Sequence, residues 1–274
     1  MAYKRILTVQ DISCVGQCSM TVAMPILSAC GHETCILPTA LLSTHTGGFG
    51  KPAVVHFDDA LDGMWQHWLE QGICFDAILV GYLGSIRAIE TVGRILDNLL
   101  APGGLAIVDP AMGDHGKLYS GFDSTYLEAM KALCQKADIL IPNLTEAAML
   151  TDGDYQENID LDYASRLARN LPVSNVILTG VSAGEGETGV LVRQGDQVTH
   201  HPHRRVGKNF HGTGDIFAAC FTGALLQGKS MVSSVEIAGE YICKCLEETC
   251  AKPIHWYGVK FETMLPELMK LLDA

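Results

Sequence analysis

A glycine-rich segment in the last third of the chain carries the residue types that phosphoryl transfer needs. Gly212 and Gly214, with Thr213 between them, stand where a small, apolar helix is about to begin. Because glycine has no side chain, the free N–H groups of the first turn can close on an anion, and the helix dipole adds positive charge there. Asp215 follows within that turn, where it could accept the proton of an attacking hydroxyl. The segment predicts an anion site beside a general base, although a glycine turn with Asp at a helix start gives the same pattern.

The elements that must position this segment follow from the hydrophobic pattern. Short β-branched runs alternate with longer amphipathic segments, the pattern of parallel strands joined by crossover helices. Apolar stripes at helical spacing run from Leu61 to Leu69 and from Ile86 to Leu99, and the second stripe is closed by Pro-Gly-Gly at 102–104. The predicted strands cover residues 6–9, 34–37, 77–80, 105–108, 139–141 and 176–178.

The last third of the chain is predicted to contain a hairpin and three helices. Two runs, 189–193 and 197–201, flank a Gly-Asp turn and read as antiparallel strands. Helices are predicted at about 213–227, 231–249 and 260–272. No internal repeat, low-complexity tract or long linker interrupts the pattern. We therefore expect an α/β fold with 1–274 as one domain.

Three carboxylates follow predicted strands and so are expected at one edge of the sheet. Ligands of open parallel sheets bind beyond the carboxyl ends of the strands. Asp109 and Asp114 follow the fourth predicted strand, and Glu146 follows the fifth, where it also reads as a helix-start residue. Carboxylates, phosphate oxygens and water together are the usual ligands of Mg²⁺. The sequence therefore predicts a magnesium site at the same edge as the glycine segment.

Composition limits the class of protein. The net charge of −12 and the absence of a Lys/Arg-rich stripe disfavour binding to nucleic acid or to an anionic membrane. No apolar run approaches the roughly 20 residues of a membrane span, and the N-terminal residues do not read as a signal peptide. The ten cysteines are scattered through apolar contexts, such as Cys35 and Cys74, and none forms a Cys-x2-Cys pair. We expect core thiols in a reducing, cytoplasmic compartment.

Five motifs carry a resemblance to a known family. They are Ser-Thr-His-Thr at 43–46, Gly-Tyr-Leu-Gly at 81–84, Asp-Pro-Ala-Met-Gly-Asp at 109–114, Pro-Asn-Leu-Thr-Glu at 142–146 and Gly-Thr-Gly-Asp at 212–215. In this order and at these separations, the chain resembles the pyridoxal kinases of the ribokinase-like superfamily over nearly its full length. The resemblance implies a three-layer fold whose mostly parallel central sheet has helices on both faces. No Gly-x4-Gly-Lys-Ser/Thr is present, so the chain is not a P-loop enzyme.

The resemblance implies an ATP-dependent kinase that phosphorylates the hydroxymethyl group of a vitamin B6 vitamer. Asp215 would be the base, and the amides around Gly212, Thr213 and Gly214 would stabilise the transferring phosphoryl group. Mg²⁺ and the ATP phosphates would be organised by four side chains: Asp109, Asp114, Asn143 and Glu146. Thr179 would contact the nucleotide, and a monovalent cation such as K⁺ is a further candidate cofactor.

Substrate-pocket positions also match, with departures in the first loop. Thr46, Tyr82 and Tyr119 match the family's substrate contacts, and Tyr119 lies in a flap-like segment. Asp11 stands where these kinases usually carry a substrate-binding serine, but a one-residue slip would let Ser13 serve instead. The residue that contacts the pyridine ring is therefore either Asp11 or Ser13, and the preferred vitamer stays open.

Two other functions remain as alternatives. A hydroxymethylpyrimidine kinase shares the fold and the attacking hydroxymethyl group, although the motifs at 44–47 and 81–84 argue against it. A non-catalytic vitamin-binding protein on the same fold would have no need of the base at Asp215. The family resemblance, rather than any residue pattern, leads us to expect a homodimer.

Overall fold

A nine-stranded sheet, mostly parallel, forms the middle of the fold in the computed structural model, which describes residues 3–156, 160–182, 184, 186–207, 210–251 and 255–273. The strands of these residues are β1 (Arg5–Ser13), β2 (Glu33–Leu42), β3 (Val54–His56), β4 (Phe75–Val80), β5 (Leu100–Val108), β6 (Gly113–Asp114), β7 (Lys117–Leu118), β8 (Ile139–Leu140), β9 (Asn175–Thr179), β10 (Glu187–Gln194) and β11 (Gln197–Arg204). In the large sheet the strand order is β11-β10-β9-β8-β5-β4-β1-β2-β3.

The six central strands, from β9 to β2 in that order, pair in parallel. Antiparallel strands finish both edges, β3 on one side and the β10–β11 hairpin on the other. Strands β6 and β7 form a separate two-stranded hairpin. Because the parallel strands all end at the same edge, the residues that follow β1, β2, β4, β5, β8 and β9 are brought together there.

Helices cover both faces of the sheet. Those of the described residues are α1 (Met20–Ala29), α2 (Asp58–Glu70), α3 (Ile86–Leu99), α4 (Ser124–Cys134), α5 (Leu144–Leu150), α6 (Leu161–Asn170), α7 (Thr213–Leu226), α8 (Met231–Cys250) and α9 (Leu265–Asp273). Side chains of α2 to α6 share one hydrophobic core, and those of α1, α7, α8 and α9 share the other. None of these helices is both long and apolar enough to cross a bilayer.

Alternation along the buried strands supplies both cores. In β1, Leu7 and Val9 point into the core under α2 to α6, whereas Ile6 points into the core under α1 and α7. Successive side chains of a strand face opposite sides, so a strand buried on both faces needs an almost continuous apolar run. This is the pattern from which the strands were predicted, and the three-layer α/β arrangement is confirmed.

Several predicted boundaries are wrong. Strand β1 continues to Ser13, so Asp11 and Ser13 lie on a strand rather than in a loop. Pro-Gly-Gly at 102–104 does not close a helix, because β5 begins at Leu100 and includes it. The last helix begins at Leu265 after a short 3-10 turn, Glu262–Met264.

The cysteine prediction holds in part. All ten thiols are free, and those at 18, 30, 134, 220, 243 and 245 are buried as expected of core residues. Cys74 is exposed and Cys35 is only partly buried, so the prediction of core thiols is wrong for Cys74. Cys74 lies immediately before β4, where the chain has not yet entered the sheet.

Helices α1 and α7 approach each other so closely that a glycine is required between them. A Cβ on Gly223 of α7 would lie 2.4 Å from the Sγ atom of Cys30. We expect Gly223→Ala to lower the thermal midpoint of unfolding, because overpacking costs about 1–3 kcal/mol and exceeds the gain in helix propensity. Gly63→Ala in α2 is the matched control, since its Cβ would meet nothing within 4 Å. It should raise the midpoint, by about 0.5–1 kcal/mol of stability. Equal midpoints for the two variants would contradict the close approach.

Candidate active site

The glycine turn before α7 is fixed by its contact with the loop that follows β1. Gly212 has a φ of +85°, and a Cβ on it would lie 2.1 Å from the carbonyl oxygen of Gln17, so no other residue fits. A Cβ on Gly214 would meet nothing within 4 Å, and the space at the first turn of α7 is therefore open. Thr213 begins the helix, and its hydroxyl donates to the carbonyl oxygen of Phe210 at 3.3 Å.

Asp215 lies in the first turn of α7 and is held from outside its own helix. Its Oδ2 atom accepts a hydrogen bond of 2.8 Å from the main-chain N–H of Ser19. Burial raises the pKa of the Asp215 carboxyl to about 7, the Ser19 N–H opposes this rise, and the negative charge of Asp11 adds to it. A group with a pKa near neutrality is well matched to proton transfer at neutral pH.

Asp11 and Ser13 lie together at the end of β1. Asp11 is 4% exposed, Ser13 is 1% exposed, and the Ser13 hydroxyl donates to Oδ2 of Asp11 at 3.1 Å. Burial raises the pKa of the Asp11 carboxyl, and hydrogen bonds from the side chains of Ser19 and Ser13 oppose that rise. The choice between Asp11 and Ser13 is thus not exclusive, because both side chains reach the same place.

Asp109 and Glu146 form an acidic pair beyond β5 and β8, in which Asp109 is partly buried and Glu146 is buried. Glu146 is 2% exposed, and its carboxylate accepts hydrogen bonds from the main-chain N–H groups of Met112 at 3.2 Å and Asn143 at 2.8 Å. Burial raises the pKa of Glu146 to about 8 despite these bonds. Burial also raises the pKa of Asp109, and the charges of Glu146 and Asp215 add to that rise. The three carboxylates therefore lie within electrostatic reach of one another.

Asp114 and Tyr119 belong to the flap, which we define as residues 113–122. The β6–β7 hairpin carries Asp114 at its tip, where the side chain is 58% exposed, and Oδ1 accepts the N–H of His115 at 2.8 Å. Tyr119 follows β7, and its N–H donates to the carbonyl oxygen of Met112 at 2.9 Å. Burial raises the pKa of the Tyr119 hydroxyl, and the charges of the surrounding carboxylates add to the rise, Glu146 most and Asp215 least. Tyr119 of the flap therefore lies within electrostatic reach of the acidic pair.

Tyr82 continues an aromatic stack that reaches the flap. Its ring is stacked on Phe122, with ring centroids 5.6 Å apart, and Phe122 is stacked on Tyr126 at 3.6 Å. Burial raises the pKa of the Tyr82 hydroxyl, and the charge of Asp11 adds to that rise. Tyr82 therefore lies between the acidic end of β1 and the flap.

Thr46 lies in the loop after β2, against the glycine segment. The neighbouring His45 ring accepts the N–H of Gly47 at Nδ1, 3.0 Å away, and its centroid lies 4.7 Å from that of His211. His211 directly precedes Gly212. Thr46 itself is exposed. His45 therefore contacts its own loop and the residue that precedes the glycine segment.

Asn143 and Thr179 meet where β8 and β9 end. They form a parallel bridge, in which the N–H of Thr179 donates to the carbonyl oxygen of Pro142 at 2.9 Å. The Asn143 side chain accepts the N–H of Glu146 and donates through Nδ2 to the carbonyl oxygen of Gly113 at 2.9 Å. Asn143 and Glu146 together form a capping box at the start of α5. The helix-start role of Glu146 is therefore present in the structure.

The three carboxylates do not make a complete metal site by themselves. In the portion of the chain that the structure describes, no group of three or more His, Cys, Asp or Glu side chains is arranged to hold a metal ion. Asp109 and Glu146 lie close together, whereas Asp114 is exposed at the tip of the flap. A cation here would need further oxygen ligands, such as phosphate oxygens or water.

A family of kinases accounts for this arrangement. Residues 28–258 match the family model described as phosphomethylpyrimidine kinase. The chain belongs to this family. Its relatives include the pyridoxine/pyridoxal/pyridoxamine kinase of Bordetella avium, which is 31% identical over 255 residues that cover 88% of this chain and 84% of the relative.

Other similar proteins include both a pyridoxal kinase and a hydroxymethylpyrimidine kinase. The crystal structure of pyridoxal kinase from Lactobacillus plantarum superimposes on this kinase with a TM-score of 0.91 and 33% identity, covering 99% of each chain. The hydroxymethylpyrimidine/phosphomethylpyrimidine kinase of Haemophilus influenzae is 30% identical over 172 residues, which is 60% of this chain and 62% of that one. The resemblance to the ribokinase-like pyridoxal kinases is confirmed.

Some residues around the site of this kinase have no signal in the sequence. Ser19 holds Asp215 through its main chain, which no side-chain motif can reveal. Gln17 is clamped by residues far away in the chain, with Nε2 donating to Glu262 at 2.7 Å and Oε1 lying 2.9 Å from Nε2 of His255. Phe122, inside the flap, could have been found only from the aromatic spacing that it shares with Tyr126.

The acidic pair predicts a pH dependence of stability. The pKa of Glu146 is raised from 4.5 to about 8 in the folded kinase. Native structure therefore favours its protonated form, and the stability that this contributes is complete below about pH 4.5 and is lost as the pH rises through about 8. We expect the thermal midpoint of Glu146→Gln minus that of the parent protein to increase by at least ~2–4 °C between pH 5 and pH 8. The measurement is made without nucleotide or divalent cations.

The control for this measurement is Asp196→Asn, at an exposed position in the β10–β11 turn. It should follow the parent protein at every pH. A constant difference between Glu146→Gln and the parent across the range would show that the charge of Glu146 is not destabilising.

Proposed function

We propose that this kinase transfers the γ-phosphoryl group of ATP to the 5′-hydroxymethyl group of pyridoxal, pyridoxine and pyridoxamine, in pyridoxal phosphate salvage. The observation that carries the proposal is the position of Asp215. It stands in the first turn of α7 beside the open space at Gly214, with a pKa of about 7. Its charge reaches Asp109 of the acidic pair, and the names of its relatives supply the class of substrate.

Asp215 acts as the general base in this proposal. As the substrate oxygen attacks the γ-phosphorus, its O–H bond breaks and the proton passes to the Asp215 carboxylate. The bond from the γ-phosphorus to the bridging oxygen breaks, and ADP leaves. The amides around Gly212, Thr213 and Gly214 stabilise the charge on the transferring group, since the first turn of a helix presents free N–H groups.

The acidic pair would hold Mg²⁺ with the nucleotide. Asp109 and Glu146 supply oxygen ligands, which suit Mg²⁺, and the repulsion between them would be relieved by a cation. Asp114 on the flap would join them directly or through water. The metal would neutralise charge on the phosphates. Asn143 and Thr179, where β8 and β9 end, would contact the nucleotide, and K⁺ is a further candidate cation.

The vitamer would lie between β1, the loop after β2 and the flap. The five side chains proposed to line its pocket are Asp11, Ser13, Thr46, Tyr82 and Tyr119. Phosphorylation of hydroxymethylpyrimidine is the second candidate, favoured by the description of the family and by the Haemophilus influenzae relative. We further propose that the kinase works as a cytoplasmic homodimer, on the strength of the family resemblance alone.

The first test replaces the base. Asp215→Asn keeps the shape of the side chain and should retain binding of the vitamer, while kcat falls by at least ~10²-fold, as is typical when a general base is lost. Steady-state kinetics with each vitamer and with hydroxymethylpyrimidine measure the effect and compare the two candidate substrates. Near-normal turnover of Asp215→Asn would exclude it as the base. Faster turnover of hydroxymethylpyrimidine than of every vitamer would transfer the proposal to that substrate.

The second test concerns the choice among vitamers. A carboxylate in the pocket favours a cationic amine substituent or a protonated ring nitrogen over the neutral forms that a serine hydroxyl accepts equally well. Pyridoxamine carries the extra positive charge, and pyridoxal as the free aldehyde does not. We expect the parent kinase to favour pyridoxamine or pyridoxine over pyridoxal. In Asp11→Ser the ratio of kcat/KM for these vitamers to kcat/KM for pyridoxal should fall by an amount equivalent to about 1 kcal/mol or more.

The matched control is Ser13→Ala, which removes the hydroxyl partner of Asp11 but keeps the carboxylate. It should leave the order of the three vitamers unchanged. Unchanged ratios in Asp11→Ser would show that Asp11 does not face the substrate. A changed order in Ser13→Ala would assign the contact to Ser13.

A further inference from the structure

The tip of the flap is a two-residue turn that is hydrogen-bonded to a residue outside the hairpin. Asp114 pairs with Lys117 across the hairpin, so His115 and Gly116 are the two turn residues. Both have a positive φ, 51° for His115 and 73° for Gly116, as in a type I′ turn. Such a turn is closed by the residues on either side of it, and the hairpin does not need the N–H of Gly116. That N–H donates to Oγ1 of Thr145 at 3.0 Å.

Thr145 does not need its hydroxyl for its own helix. It is the second residue of α5 and is 2% exposed. The start of α5 is already capped by the side chains of Asn143 and Glu146. A threonine inside a helix often bonds back to a carbonyl oxygen one turn earlier, but the residues three and four before Thr145 precede the helix. The hydroxyl is therefore available to the flap.

The first turn of α5 also holds the other end of the hairpin. Nδ2 of Asn143 donates to the carbonyl oxygen of Gly113 at 2.9 Å. The Glu146 carboxylate accepts the N–H of Met112, the residue before the flap, at 3.2 Å. With the bond from Gly116 to Thr145, three side chains of one helix start contact the flap or the residue before it. The element that carries Glu146 thus also determines where the flap lies.

Ring contacts support the flap at its tip and at its far end. A Cβ on Gly116 would lie 2.7 Å from Cδ1 of Tyr155, and the positive φ also favours glycine at this position. Phe122, the last residue of the flap, is stacked on Tyr126 with ring centroids 3.6 Å apart. Tyr119 lies between these two supported points along the chain. Its position therefore depends on theirs.

We propose that Thr145 is a positioning residue for the vitamer, whose buried hydroxyl holds the tip of the flap on α5 and thereby places Tyr119 in the vitamer pocket. The inference rests on the proposed function, in which Tyr119 lines that pocket. Thr145 acts through the flap. One helix start then serves both halves of the reaction, since Glu146 belongs to the acidic pair and Thr145 places a side chain for the vitamer.

Two substitutions of Thr145 test this role. Thr145→Val keeps the shape of the buried side chain and removes the oxygen that accepts the Gly116 N–H. At saturating ATP and Mg²⁺, its KM for each vitamer should rise about fivefold, the effect of losing one hydrogen bond between neutral groups. Its kcat should stay within about twofold, because the lost interaction contributes equally to binding of substrate and transition state. Thr145→Ser keeps the hydroxyl and should retain the KM of the parent.

Hydrogen exchange gives a measurement that does not depend on activity. Without nucleotide or vitamer, the amide of Gly116 should exchange about fivefold faster in Thr145→Val than in the parent or in Thr145→Ser. Unchanged exchange of this amide in Thr145→Val would show that the hydroxyl does not hold the tip, and would overturn the proposal.

The matched control is Thr151, the C-cap residue of the same helix, whose hydroxyl donates to the carbonyl oxygen of Ala147 at 2.8 Å. Thr151→Val should lower the thermal midpoint of unfolding and leave the vitamer KM and the exchange of the Gly116 amide unchanged. If Thr151→Val raises the vitamer KM as much as Thr145→Val does, the effect is a general loosening of α5 and the positioning role is wrong.

A double variant tests whether Thr145 acts through Tyr119. Tyr119→Ala should raise the vitamer KM, and adding Thr145→Val to it should raise the KM by much less than fivefold. A full fivefold rise in both backgrounds would contradict this route. Failure here is distinct from failure of the proposed function. A parent protein that phosphorylates none of the vitamers rejects the function, whereas an active parent whose vitamer KM is unchanged in Thr145→Val rejects the positioning role alone.

Discussion

The contact between the loop after β1 and the first turn of α7 is the constraint on which the site depends. The missing Cβ of Gly212 lets the carbonyl oxygen of Gln17 approach, and two residues farther along the same loop the N–H of Ser19 bonds to Asp215. The packing of α1 against α7 holds the contact in place, with Gly223 and Cys30 as close neighbours farther along. A carboxylate on one helix is thereby oriented by the main chain of another.

Two carboxylates that lie close together are a second important feature of the site. Asp109 and Glu146 lie close together with raised pKa values, and the hydrogen bonds to Glu146 come from main-chain N–H groups rather than from a cationic side chain. Such an arrangement is unfavourable until a cation and its ligands arrive, so binding can draw on repulsion already present in the fold. Tyr119 of the flap lies within electrostatic reach of the same carboxylates.

Much of this could be predicted from the sequence, because it depends on side-chain type and period. Apolar runs located the parallel strands, and the rule that ligands lie beyond their carboxyl ends predicted Asp109, Asp114 and Glu146 at one edge. The structure brings Asp109 and Glu146 together there, whereas Asp114 lies exposed at the tip of the flap. The features that could not be predicted depend on main-chain hydrogen bonds or on the pairing of strands. The sequence does not show that β1 continues through Asp11 to Ser13, since polar residues interrupt its apolar run. Nor does it show the bond from Ser19, because every residue type except proline has a main-chain N–H that could donate it. The edge strand β3 is three residues long and exposed, and so has no buried pattern to detect.

The clamp on Gln17 has a consequence for the timing of biosynthesis. Glu262 and His255, its partners, are synthesised long after the strand and loop that they hold. The parallel strands β1, β2 and β4 can pair while the chain is still growing, whereas the loop between β1 and α1 acquires this clamp only when residue 262 has left the ribosome. These two hydrogen bonds are therefore among the last contacts that the loop after β1 can acquire.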